Sequence, residues 1–133
     1  MMLMGPKAKA TPAPTEKGYA QVALSLPTFY IRVLDGEATF LGQRRSQILE
    51  LLVLRKLGLL VVERAASAPK YAIKAGELDK HDRFVWHCRG DVKRQFDELR
   101  RRMGNIPPKT WITLALNEWI GLPSGMSELT PKR

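Results

Sequence analysis

Apolar residues recur along this chain with two different periods, and the change of period divides it. Between Arg83 and Arg89 the period is two: Phe84, Trp86 and Cys88 share one face, while Arg83, Val85, His87 and Arg89 share the other. That pattern predicts a strand with one buried side. Gly90 breaks it, and Asp91 supplies an acid where a helix dipole favours negative charge. Val92, Phe96, Leu99 and Met103 then recur at spacings of four, three and four, which is one stripe of an α-helix. Gly104 closes this helix behind the basic triplet Arg100–Arg102, and Asn105-Ile106-Pro107-Pro108 turns the chain. Proline is tolerated in the first turn of a helix, so a second helix is predicted over 109–120. Its apolar face is Ile112, Ala115, Leu116, Trp119 and Ile120, widened by Trp111 and Leu114.

Upstream the signals are shorter. Thr28 to Leu34 alternates as a strand, with Phe29, Ile31 and Val33 on one side, and Asp35-Gly36 reads as a turn into a second strand over Ala38–Leu41. Gln43–Leu57 is apolar nearly all round and predicts a buried helix that stops at Gly58. Leu59–Val62 and Lys70–Lys74 read as two further strands around an Ala65–Pro69 loop. Residues 26–80 thus form a small α/β module with the outline of a winged helix, joined by a polar stretch to the unit at 83–122. Residues 1–25 mix Pro, Ala and Lys with little to bury, so they read as a disordered basic arm, either a linker or a source of weak phosphate contacts. Residues 123–133 are a tail.

Composition narrows the partners. The 133 residues, 44% of them hydrophobic, suit one modest domain, or a small one with an arm. Lys and Arg number 22 against 13 acidic residues, giving a net charge of +9. A small cationic protein meets phosphate polyanions more often than neutral substrates. Cys88 is the sole cysteine, which excludes an internal disulfide and a thiolate metal cage. His81 and His87 lack carboxylates at ligand spacing, so neither a metal nor a cofactor is expected. The apolar stretch at the N-terminus is too short for a signal peptide, and Ile48–Val62 is interrupted by Glu50, Arg55, Lys56 and Gly58. A cytoplasmic protein without a membrane partner is the expectation. No Gly-rich phosphate loop, Ser/His/Asp arrangement or acid pair argues for an enzyme.

A seven-residue strand and two helices of twelve or thirteen residues cannot bury their apolar faces alone; units this short need a metal, disulfides or a partner. With the first two excluded, an intertwined homodimer is expected. Two copies of Arg83–Arg89 would pair antiparallel over a core of Phe84, Trp86, Cys88, Phe96, Leu99, Ile112, Leu116 and Trp119.

The order strand, helix, Gly-containing turn, helix over Arg83–Leu122 resembles the ribbon–helix–helix family of DNA-binding proteins. The match rests on Arg83-Phe84-Val85-Trp86-His87-Cys88, then Val92, Phe96, Leu99, Met103 and Gly104, then Ile112, Ala115, Leu116, Trp119 and Ile120. The resemblance implies an α+β fold whose dimeric ribbon enters the major groove of double-stranded DNA. Base contacts would come from Arg83, Val85 and His87, and phosphate contacts from Arg89, Lys109, Thr110, Arg100 and Arg101. The start of the second helix departs from the family, because Pro107 and Pro108 lack the N–H groups that usually hold a phosphate there. The implied role is a sequence-specific regulator, either a repressor or a plasmid partition or transfer factor. Two other readings compete with it: an antitoxin that holds a toxin through residues 26–80, and an RNA- or ribosome-binding basic protein.

Overall fold

A computed structural model describes residues 19–122; the arm before Tyr19 and the tail 123–133 lie outside the described residues. Among the described residues the fold is α+β, with a two-stranded antiparallel sheet and four helices. The order is β1 (Tyr19–Pro27), α1 (Thr28–Leu41), α2 (Arg45–Lys56), β2 (His81–Arg89), α3 (Gly90–Arg102) and α4 (Pro108–Ile120). Each nine-residue strand therefore runs straight into a pair of helices, twice in one chain.

The second half follows its apolar periods. In β2, Phe84, Trp86 and Cys88 are buried while Arg83 and His87 are exposed. Val92, Phe96 and Leu99 are buried along α3, and Trp111, Ile112, Leu116 and Trp119 along α4. Met103, expected as the end of the α3 stripe, lies past the last helical turn and is 47% exposed. Edge-to-face contacts of Trp86 with Phe96 (5.0 Å between centroids) and of Phe96 with Trp111 (5.2 Å) stack the strand on both helices.

The first half differs from expectation in four ways. The partner of β2 is β1 of the same chain, where a second copy's Arg83–Arg89 was expected. Ala23 stands opposite Val85 at the middle of both strands, with Tyr19 opposite Arg89 and Pro27 opposite His81 at the ends. Residues 19–25 of the expected arm thus belong to the sheet, with Val22 buried, as is Leu26 just after them. Thr28–Leu41 is a single helix rather than two strands. Its buried residues are Phe29, Tyr30, Val33, Leu34 and Glu37, a helical face that overrides the β-propensity of the aromatic and branched residues beside them.

Gly36 is not a turn. It sits inside α1 because a Cβ there would lie 2.2 Å from the Tyr71 hydroxyl oxygen. The glycine is a notch for a neighbour, which outweighs its poor helix propensity. Finally, Leu59–Val62 and Lys70–Lys74 are not strands, and no winged helix forms. Residues 57–80 run as turns and irregular chain.

This connector is tied to α1 by side chains. Arg32 donates to Glu77 through Nε (2.7 Å) and Nη2 (2.9 Å), and to the Ala72 carbonyl (2.6 Å). The first amides of α1 are satisfied by the connector, Thr28 N–H by the Lys80 carbonyl (2.8 Å) and Phe29 N–H by that of Glu77 (3.2 Å). Further along, Glu37 is fully buried and accepts from Arg64 Nε (2.8 Å) and Nη2 (2.7 Å), the Tyr71 hydroxyl (2.8 Å) and the Trp119 indole (2.8 Å). One carboxylate thereby joins α1, the connector and α4. The Tyr30 hydroxyl adds a second tie to α4 through Asn117 Oδ1 (2.9 Å). A single hydrophobic cluster draws on both halves, so the boundary expected between residues 26–80 and 83–122 falls inside one core.

Substituting Gly36→Ala should destabilise the protein by about 1–3 kcal/mol, the usual cost of overpacking, because Tyr71 must leave Glu37 to make room. Urea unfolding followed by circular dichroism measures this, and an unchanged midpoint would refute the seat described for Tyr71.

Hydrogen bonds from Arg32 hold the Glu77 carboxyl at about 2, against a usual value of 4.5. Burial pushes Glu37 up, but the bonds from Arg64, Trp119 and Tyr71 outweigh it and leave its pKa lowered. Both groups contribute stability that is whole above the unfolded value and lost as pH falls through the folded one. The thermal midpoint should therefore drop from about pH 4.5 towards pH 2, and Glu77→Gln should flatten part of that slope. Identical slopes in the two proteins would contradict the pairing.

Candidate nucleic-acid interface

The strand period that buries one face of the sheet must present the other. On β2 the outer positions are Arg83, Val85 and His87; on β1 they are Gln21, Ala23 and Ser25. All are exposed except Val85, which is half-buried. Across the ribbon Gln21 faces His87 and Ser25 faces Arg83, with the Gln21 amide nitrogen 3.4 Å from His87 Nδ1. The helices cover the opposite face through Phe84, Trp86 and Cys88, so the outer face has no core duty.

The start of α2 is docked beside this face. The Trp86 indole donates to the Ser46 carbonyl (3.1 Å) and the His87 amide to Ser46 Oγ (3.0 Å). Arg44, Arg45 and Ser46 consequently line a cleft of about 400 Å³ with Arg83, Phe84, Val85 and His87. Arg45 lies over the Phe84 ring, 5.1 Å from its centroid, and 3.5 Å from Asp35. Among the described residues neither Arg44 nor Arg83 has an acidic partner. A ribbon edge and a helix start thus combine into one basic surface, which no single stretch of sequence displays.

The remaining expected contacts are placed differently. Arg89 stands at the end of the ribbon, between Glu50 (3.3 Å) and Asp91 (3.7 Å). Arg100 is turned onto its own helix: it binds Asp97 (2.6 Å) and the Ile106 carbonyl (2.9 Å) and lies over the Phe96 ring. Its guanidinium ties the turn after α3 back to the helix and is not left free. Arg101 pairs with Glu98 at 2.5 Å. Lys109 and Thr110 occupy the first turn of α4 after Pro107 and Pro108, and they line a separate cavity of about 780 Å³ with the 71–79 part of the connector.

Gln21, Ala23, Ser25, Arg44, Arg45 and Ser46 escaped the sequence reading. The period-two run Val22, Leu24, Leu26 was visible, but it abuts a Pro- and Lys-rich stretch that masks it.

The expected core residues Phe84, Trp86, Cys88, Phe96, Leu99, Ile112, Leu116 and Trp119 are all buried. Among the described residues no three His, Cys, Asp or Glu side chains gather as a metal site, and no helix is long and apolar enough to cross a membrane. Comparisons with protein-family models, with curated proteins and with solved structures each find no match to this chain.

Burial pushes the Cys88 thiol up to about 11, so it is a protonated apolar filler at neutral pH. It should resist a thiol reagent such as iodoacetamide at pH 8 in the native protein and react fully in denaturant. Rapid native labelling, followed by mass spectrometry, would contradict its place under the ribbon.

Proposed function

We propose that this chain binds double-stranded DNA by laying the β1–β2 ribbon in the major groove, as a ribbon–helix–helix unit whose two halves lie in one polypeptide. The observation that carries the reading is the free outer face of the ribbon, with Arg83 and His87 exposed beside Arg44 and Arg45 at the start of α2. A two-stranded ribbon fits the width of the major groove, where each base pair shows a distinct pattern of donors and acceptors. Arg83 donates to guanine O6 and N7, Val85 suits a thymine methyl, and His87 and Gln21 donate or accept.

Phosphates are held at the helix starts. The first amides of a helix have no intrahelical partner and attract anions. At α2 these are the amides of Arg45 and Ser46, with two guanidinium groups beside them. At α4 the prolines remove donors, and Lys109 supplies the charge. The net charge of +9 adds attraction at a distance. The role supported is a sequence-specific DNA-binding factor that represses transcription or serves partition or transfer of DNA. Catalysis, a cofactor and a membrane play no part in it.

Fluorescence anisotropy on a duplex selected from a random pool tests this. Affinity should fall steeply with salt, log K decreasing by roughly 0.9 per phosphate contact for each unit of log salt. Arg83→Ala should cost about 1–3 kcal/mol on the selected duplex and little on unrelated DNA. Arg44→Ala should weaken all duplexes alike and lower the salt slope by about one. Double-stranded RNA should compete poorly, because its major groove is too deep and narrow for side chains to read. A folded protein that retains no duplex DNA at low salt would refute the proposal.

A further inference from the structure

A ribbon made of two identical strands reads a site that equals its own reverse complement. This ribbon is built on the same geometry and does not carry the same residues. Its local twofold axis passes through the Ala23–Val85 pair, at the centre of both strands. Rotation about that axis would exchange Gln21 with Arg83 and Ser25 with His87. The four side chains are an amide, a guanidinium, a hydroxyl and an imidazole, with different donor and acceptor sets. On one side of the centre the outer face bears Gln21 and His87, within 3.4 Å of each other; on the other it bears Ser25 and Arg83.

The flanks break the symmetry in the same sense. Arg44, Arg45 and Ser46 open α2, whereas Pro107, Pro108 and Lys109 open α4, so the two helix starts differ in both amide donors and charge. The pairing of β1 with β2 within one chain makes these differences permanent: every ribbon has one strand of each kind.

Resting on the DNA-binding reading above, we infer that one chain recognises an asymmetric duplex sequence and binds it in a single orientation. Arg83, with Ser25 opposite, places a guanine preference in one half of the site. Gln21 and His87 place an adenine or mixed preference in the other, since an amide side chain pairs with adenine N6 and N7. Ala23 and Val85 at the centre offer apolar contact to thymine methyl groups.

Random-duplex selection with the full chain, coupled to native mass spectrometry of the selected complexes, tests the inference. The expected motif differs from its reverse complement and is held by one chain. The triple variant Gln21→Arg, Ala23→Val and Ser25→His gives both strands the same outer residues. Because these positions face away from the core, its thermal midpoint should match that of the parent. Its motif should become palindromic, with the guanine preference in both halves. Arg83→Gln in the parent should erase the guanine preference in one half only, a roughly ten- to hundredfold loss on the selected duplex.

A palindromic motif selected by the parent chain, or a minimal motif that requires two chains, overturns the inference while leaving DNA recognition intact. An unchanged asymmetric motif in the triple variant also overturns it, since base choice would then lie outside the ribbon. A folded chain that selects no duplex at all brings down the DNA-binding reading itself, and this inference with it.

Discussion

A two-stranded ribbon is a poor structure by itself. Nine residues paired with nine satisfy one edge of each strand and leave two broad faces, and an isolated pair of strands is marginal in water. Here the pairing of β1 with β2 is rescued by what lies beneath it. Val22, Leu26, Phe84, Trp86 and Cys88 are driven into a core built from all four helices. The dependence is mutual, because the helices flank a common sheet and lose their shared surface without it. Each fully buried Leu, Val or Phe contributes about 1.5–3 kcal/mol, so neither half would retain its core if the strands parted.

Making that pairing inside one chain requires the connector between α2 and β2 to return along the molecule. Residues 57–80 do so without strand or helix, held by charged hydrogen bonds. The buried Glu37 carboxylate is the more demanding tie. An ionised carboxylate removed from water is costly unless donors surround it. Four donor atoms do so, from Arg64, Tyr71 and Trp119. Such a cluster adds little net stability compared with an apolar replacement, but it tolerates few alternative arrangements. It holds α1, the connector and α4 in one relation, and Gly36 admits the tyrosine that completes it.

Placing both strands in one polypeptide has a consequence for recognition. Two separate copies would be obliged to show the same outer residues on both strands. A single chain is under no such constraint: the charge on the outer ribbon face lies on β2, while β1 offers Gln21, Ala23 and Ser25. Under the proposed reading, a fold with twofold geometry becomes a directional reader. The cost is chain length, since the connector must bridge the ends of the two halves.

What the sequence determined by itself is the second half. The strand period over Arg83–Arg89 and the helical stripes of Val92, Phe96 and Leu99 and of Ile112, Leu116 and Trp119 come from local spacing, and each element buries the face its own period marks. α2 was also legible, because its apolar run is long enough to exclude a strand. Tertiary structure alone decided the rest. Thr28–Leu34 alternates like a strand, yet α1 forms, because the core takes the adjacent pairs Phe29–Tyr30 and Val33–Leu34 together, which a helix sets on one face and a strand would split between two. Leu59–Val62 has strand residues and pairs with neither strand of the sheet. Gly36 looks like a turn because the reason for it, Tyr71, lies thirty-five positions away. The need of β2 for a partner was readable from its apolar face. That the partner is β1 was not, since pairing is chosen by contacts between distant segments, and period alone cannot tell a neighbour in the same chain from a copy of itself.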